Sequence, residues 1–282
     1  MNLSEAIEKV KPSVVQISVL ASGLSSDFRS KIKKPFFSHV LGTGFFVSSE
    51  GHVITAKHVF DGGLEMLKEI EAEDKRILAG LALPNTNSMR GNFSIVDFEV
   101  VDVDSRHDLM LLKLRRNPFK GEVRSGIVIN GKELPLLYGV STLESNRPID
   151  GLPIGISGYP LAETVLVTNS GGLATCWGTD IKEVSFSGAP VDFRIPDISD
   201  VYLADVEVNP GDSGAPVYDI EKSTIIGLCA ASKMAPIKNQ NGAGVVLNGK
   251  YLFYSSGLTI VVPTPYIVSL LTKNRVPYTT MT

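Results

Sequence analysis

Cysteine is nearly missing from this chain: two in 282 residues. Two cysteines cannot staple a disulfide framework, nor build a four-cysteine zinc site. The fold must therefore rest on an apolar core, and no metal or organic cofactor is expected. Cysteines so few, in no obvious pair, fit a reducing cytoplasm. No apolar run reaches the roughly 18 residues a membrane-spanning helix needs. A secretory leader is lacking too: Met1-Asn2-Leu3-Ser4-Glu5 has no basic stretch, and Glu5, Lys9 and Lys11 break any apolar segment behind it. A cytoplasmic location with no membrane partner is the expectation. Charge of one sign is also wanting. Twenty-seven basic residues against 30 acidic ones leave a net −3, which argues against nucleic acid as a partner. There is no internal repeat and no low-complexity segment. The single tryptophan, Trp177, and the two cysteines, Cys176 and Cys229, are expected to serve packing.

What the chain does have is enough apolar residue, 43%, to bury a core, together with 26 glycines and 16 prolines to punctuate many short elements. Its length suggests about two domains. Residues 14–20 form a β-branched run. Residues 42–48 and 53–55, joined by Ser49-Glu50-Gly51-His52, read as a hairpin. Further strands are predicted at 93–103, 109–114, 154–158, 164–169, 171–177, 201–208, 215–218, 224–231 and 258–262. Helices are predicted at 4–10, capped by Ser4, at 62–78 through Leu64, Leu67 and Ile70, and at 265–273. Residues 29–37 read as a basic loop. The turn-rich stretch 140–151 is the best boundary, giving a first domain of 1–145 and a second of 146–282. The pattern is all-β, in two antiparallel barrels or sandwiches.

Three segments carry chemistry. Thr55-Ala56-Lys57-His58 supplies an imidazole, His107-Asp108-Leu109-Met110-Leu111-Leu112 a carboxylate, and Asn209-Pro210-Gly211-Asp212-Ser213-Gly214-Ala215-Pro216 a hydroxyl. A serine hydroxyl is a weak nucleophile at neutral pH until an imidazole within reach takes its proton. A carboxylate on the far ring nitrogen holds the tautomer and steadies the imidazolium. A glycine two residues before the serine lets the backbone curl so that the N–H groups of Gly211 and Ser213 converge on an oxyanion. The base must be neutral, so activity is expected to rise through about pH 6.5–7.5. His107, beside Asp108, reads as a decoy, since neighbouring strand residues face opposite ways.

In this order the three motifs resemble the chymotrypsin-fold serine proteases, and more closely the HtrA (Deg) branch and its stand-alone relatives. Gly42-Thr43-Gly44-Phe45-Phe46-Val47, Gly155-Ile156-Ser157-Gly158-Tyr159-Pro160, Glu163-Thr164-Val165 and Asn209-Pro210-Gly211 match that branch's flanking segments. The likeness runs from about residue 4 to about residue 271. It implies two six-stranded antiparallel β-barrels with a short N-terminal helix and a C-terminal helix, with the site between the barrels. It implies a serine endopeptidase acting on protein or peptide substrates: His58, Asp108 and Ser213 form the catalytic triad, and Gly211 and Ser213 the oxyanion hole. Homo-oligomers are known among relatives and are compatible here. Asp212 departs from the branch, which usually has Asn. In zymogen relatives that Asp pairs with a new N-terminal amine, but no Ile-Val-Gly-Gly-like cleavage site stands near this start, so another partner is expected. The chain ends just past the second barrel, with no room for a PDZ domain.

Substrate-binding residues follow from the same resemblance. Glu207, six before Ser213, stands where the fold places the floor of the primary pocket. An acid there favours Lys or Arg at the cleaved position. If the strand register turns Glu207 outward, a small apolar pocket remains; Asp205 competes if the register shifts by two. Ala230, Ala231 and Ser232 lie where the family pairs substrate backbone as an added strand. Two other functions compete. One is a catalytically idle, protease-fold peptide-binding module. The other, an α/β-hydrolase esterase, is disfavoured by the His, Asp, Ser order and by Ala215 in place of a glycine.

Overall fold

The computed structural model describes residues 1–82, 93–163, 165–181 and 198–281. The first half runs α1 (Leu3–Val10), β1 (Val14–Leu24), α2 (Ser26–Ile32), β2 (Phe37–Phe46), β3 (His52–Ala56), α3 (Lys57–Glu69), β4 (Ala72–Ala82), β5 (Phe93–Val96), β6 (Phe98–Asp104) and β7 (Leu109–Leu114). A small hairpin of β8 (Val128–Ile129) and β9 (Lys132–Glu133) follows. The second half comprises β10 (Thr142–Glu144), β11 (Pro153–Gly158), β12 (Val167–Ile181), β13 (Ile198–Asp205), β14 (Pro216–Asp219), β15 (Ile225–Pro236), the hairpin β16 (Val246–Leu247) and β17 (Lys250–Tyr251), β18 (Phe253–Pro263), α4 (Thr264–Lys273) and β19 (Thr279–Met281).

β-branched and leucine side chains decide the ladders. Val14, Val15, Ile17 and Val19 of β1 are buried, as are β3 throughout and Leu109 to Leu112 of β7. Each such large side chain contributes roughly 1.5–3 kcal/mol by leaving water. The first sheet is antiparallel in the order β5-β4-β1-β2-β3-β7-β6. Its two edge strands are consecutive in the chain, parted by Asp97 alone, so the sheet curls round on itself. In the second sheet β14, β11, β12, β13, β18 and β15 follow one another, and an additional β14–β15 pairing closes them into a six-stranded ring. β10 and β19 extend that ring with parallel pairings. The sheets thus hold seven and eight strands, and the six of the implied barrel are the closed ring of the second. One contiguous apolar cluster links the halves through Leu109, Leu111, Leu143, Leu228, Ile267 and Leu271.

Several elements differ from their sequence reading. Asn2, not Ser4, caps α1, in a reciprocal pair with Glu5. The helix expected at 62–78 begins at Lys57 and ends at Glu69; its second half is β4, in spite of four consecutive charged residues, Glu73 to Arg76. Pairing along the whole length of β1 outweighs local propensity there. The loop expected at 29–37 begins inside α2, whose Ser25 cap accepts the Phe28 N–H on its hydroxyl. The strands expected at 164–169 and 171–177 are one, β12, and Thr164 lies outside the described residues. Trp177 is 73% exposed, so it is not a packing residue. Cys176 and Cys229 are free and buried, as expected.

Candidate active site

The strand β3 delivers the chain into α3, whose second residue is His58. A helix N-terminus leaves backbone N–H groups without partners, and Ala56, at the cap position, has no side chain to take them. Asp108 does so from the start of the neighbouring strand, β7, where Leu109 pairs with Ala56. Its carbonyl accepts from Lys57 N at 2.9 Å, and its Oδ1 accepts from His58 N at 2.9 Å. Its other carboxylate oxygen, Oδ2, lies 2.5 Å from His58 Nδ1. Asp108 therefore both caps α3 and orients the imidazole. Its side chain is 3% exposed, that of His58 35%. With Nδ1–H given to the carboxylate, Nε2 is left as the acceptor.

Ser213 sits in a turn built by two left-handed glycines, one on each side of it. Gly211 has φ +104 and Gly214 φ +86. A Cβ would stand 2.3 Å from the Tyr159 carbonyl oxygen at the first, and 2.0 Å from that of Thr43 at the second. Two carbonyls of this turn are tied to the protein. Pro210 O accepts from Leu161 N at 2.6 Å, and Asp212 O from Ala215 N at 2.9 Å. In a trans peptide the N–H points opposite to the carbonyl, so the N–H groups of Gly211 and Ser213 face away from those bonds. Neither has an acceptor among the described residues. His58, Gly211 and Ser213 line one cleft of ≈ 500 Å³. The Ser213 hydroxyl donates to Ala230 O at 3.0 Å and makes no hydrogen bond to His58. Such bonds often form only once substrate is bound.

Thr43 is the residue sequence reasoning missed. From β2, in the first sheet, its N–H donates to Ser213 O at 2.9 Å and its hydroxyl to Gly211 O at 2.8 Å. The same hydroxyl accepts from Tyr159 N at 3.0 Å, and Thr43 O accepts from the Thr55 hydroxyl at 2.6 Å. One residue thus holds both ends of the turn, Gly211 through its side chain and Ser213 through its backbone. Its only sequence signal is a hydroxyl between two glycines, Gly42 and Gly44.

Asp212 is 1% exposed and makes no ion pair among the described residues. Its Oδ2 accepts from Asn209 N at 2.9 Å. This backbone donor is the partner found in place of an N-terminal amine. Burial dominates and pushes its carboxyl up to about 6, against the smaller pull of that bond. Burial, with a lesser effect from Asp212, also raises the neighbouring Cys229 thiol.

The substrate-side residues surround the same cleft. Glu207 is exposed and makes no ion pair among the described residues; Asp205 is exposed and does not line the cleft. Val208, Cys229 and Ala230 are buried. The Ser232 hydroxyl reaches Val208 O at 2.8 Å and braces the two cleft walls together. β15 pairs with β18 at Cys229, Ala231 and Ser232, while its β14 pairing stops at Leu228. Beyond that point its other edge, at Ala230, Ala231 and Ser232, borders the cleft.

Comparison with known proteins is consistent with this arrangement. The family described as "Trypsin-like peptidase domain" matches residues 42–228. A probable periplasmic serine endoprotease DegP-like from Marinomonas sp. (strain MWYL1) is 23% identical over 252 residues, covering 79% of this chain and 43% of its own. Serine protease HTRA1 of Xenopus tropicalis is 24% identical over 227 residues, covering 79% and 37%. The chain thus spans less than half the length of these curated relatives. The solved HtrA-type protease AlgW with decapeptide superposes with a TM-score of 0.56 at 18% identity, over 98% of this chain and 68% of that one. No helix among the described residues is long and apolar enough to cross a membrane.

Two outcomes follow from Thr43 and Asp212. Thr43→Ala is expected to lower kcat about 10- to 100-fold, because the oxyanion donors lose their support, while Thr43→Ser stays near wild type; steady-state kinetics on a peptide substrate decides. Asp212 has a folded pKa above its unfolded value of 3.8. The stability its proton supplies is full below the unfolded value and is lost as pH rises to about 6. Above that the folded chain carries the cost of a buried anion, roughly 3 kcal/mol at 1.36 kcal/mol per unit. Asp212→Asn keeps an acceptor for Asn209 N, so it is expected to melt higher than wild type at about pH 7.5 and to lose that advantage by about pH 4. An equal difference at both pH values would contradict the assignment.

Proposed function

We propose, for a chain that belongs to the trypsin-like peptidase domain family and within it to the HtrA type, that it is a serine endopeptidase working through an acyl-enzyme on Ser213. One observation carries the reading. A buried carboxylate holds the His58 imidazole at 2.5 Å, and this imidazole shares its cleft with a serine flanked by two unclaimed backbone N–H groups.

The steps follow from the geometry. A substrate segment adds as a strand to the free edge at Ala230, Ala231 and Ser232. Ser213 Oγ leaves Ala230 O by rotation about its Cα–Cβ bond and attacks the scissile carbonyl carbon, giving its proton to His58 Nε2. Asp108 stabilises the imidazolium without taking the proton itself. The carbonyl oxygen becomes an oxyanion held by the N–H groups of Gly211 and Ser213, a pair of donors in which one alone is typically worth roughly 3–4 kcal/mol. His58 then protonates the leaving amine nitrogen as the C–N bond breaks. Water, deprotonated by the same imidazole, cleaves the acyl ester and restores Ser213.

In the primary pocket the buried wall is apolar: Val208, Cys229 and Ala230, braced by Ser232. Glu207 stands exposed at its margin. The reading is a pocket for small apolar side chains, with Glu207 as a solvated residue. Two free, buried cysteines support a reducing compartment.

A fluorophosphonate probe is expected to label wild type stoichiometrically at Ser213 and not to label Ser213→Ala; absence of labelling under any condition favours the idle peptide-binding module. Profiling on a peptide library is expected to show small apolar residues at the cleaved position, with Glu207→Gln unchanged. Enrichment of Lys or Arg that Glu207→Gln abolishes would instead restore the acidic floor.

A further inference from the structure

His107 is a buried imidazole, 7% exposed, that hydrolysis does not use. It lies with Asp108 in a turn before β7, not within a strand, and the two side chains part company there. The Asp108 carboxylate goes to His58. His107 Nδ1 stands 2.7 Å from Asp104 Oδ2, and the imidazole lies flat on the Tyr266 ring, centroids 3.6 Å apart and planes 12° from parallel. Its Nε2 is buried with no partner among the described residues. The site thus uses the face of this ring rather than its second nitrogen.

Tyr266, in the first turn of α4, belongs to the other half of the molecule. Its hydroxyl donates to Asp200 Oδ2 at 2.6 Å, and Arg147 forks onto both oxygens of that carboxylate at 3.0 and 2.9 Å. Arg147 also donates to Cys176 O at 2.5 Å. An unbroken chain from Asp104 through His107, Tyr266 and Asp200 to Arg147 therefore fastens the turn before β7 to α4, β13 and β12.

The fastened turn is strained. Asp108 has φ +54, a left-handed conformation that is unfavourable for a residue with a Cβ. Strain of this kind persists only where the surroundings over-determine it. On one side the Lys57 N–H grips the Asp108 carbonyl. On the other, the residue gripped is His107. We infer that the His107–Tyr266 stack is a positioning device: it holds the Asp108 turn in its left-handed form and so sets the carboxylate against His58. His107 is a positioning residue, and the inference rests on Asp108 being the acid of the triad.

The test compares Tyr266→Leu, which removes the stack, with Tyr266→Phe and His107→Phe, which keep it. Two quantities are read: kcat and KM on a peptide substrate, and the far-downfield proton resonance of a strong Nδ1–H bond from His58 to Asp108. Tyr266→Leu is expected to lower kcat about 10- to 100-fold with KM within about twofold, and to shift or lose the resonance. The two Phe variants keep both near wild type. Should Tyr266→Leu fail to fold, His107→Leu, which leaves α4 intact, carries the same comparison. A folded stack-less variant with wild-type kcat and resonance overturns the inference; so does Tyr266→Phe failing as badly as Tyr266→Leu, which moves the effect to the Asp200 bond. If wild type shows the resonance without hydrolysis, the protease reading falls while the resonance still decides the role of the stack. A wild type lacking the resonance at every pH removes both.

Discussion

The grip of the Asp108 carboxylate on the first turn of α3 is the constraint on which the rest of the site depends. A helix that begins beneath a cleft has backbone donors to satisfy, and here nothing local can do it. Asp108 takes one of them with Oδ1 and the imidazole with Oδ2, while its own carbonyl takes another. Helix start and ring orientation are therefore a single structural event. Moving the acid would unwind the cap and turn the base together, which explains why a left-handed, strained residue is tolerated at that place.

The oxyanion turn is governed from the opposite side by Thr43. Its contacts fix the carbonyls of Gly211 and Ser213, and so steady the chain beside the peptide units whose N–H groups the Pro210 and Asp212 carbonyl bonds orient. Under the same turn sits Asp212, an acid with a backbone N–H for a partner and no ion pair among the described residues. The two residues pull in different senses. Thr43 makes the turn rigid at little cost, whereas Asp212 burdens it with a desolvated charge whenever the solution is neutral.

Much of this was legible before any coordinates. The run at 109–114 is β7, the hairpin at 42–55 is β2 and β3, and the order His58, Asp108, Ser213 named the residues that line or support the cleft. These were readable because motif chemistry and apolar alternation are local. What was hidden depended on distant partners. β4 looks like a charged helix until β1 lies beside it. α2 looks like a basic loop until Ser25 caps it and Phe28 meets Phe37. Thr43 and His107 sit in familiar segments, yet their roles come from contacts more than 100 residues away in the chain, to Gly211 and to Tyr266. Glu207 was left between two readings because one step of register decides which way it faces.

The brace formed by Thr43 joins two halves that otherwise close their ladders independently, and this has a consequence for how the molecule fails. Opening the waist has to break these bonds together with the His107–Tyr266 stack and the apolar cluster that the halves share. A wedge driven into the seam draws His58 away from Ser213, and on the proposed function that silences the site even where the ladders of both sheets stay paired.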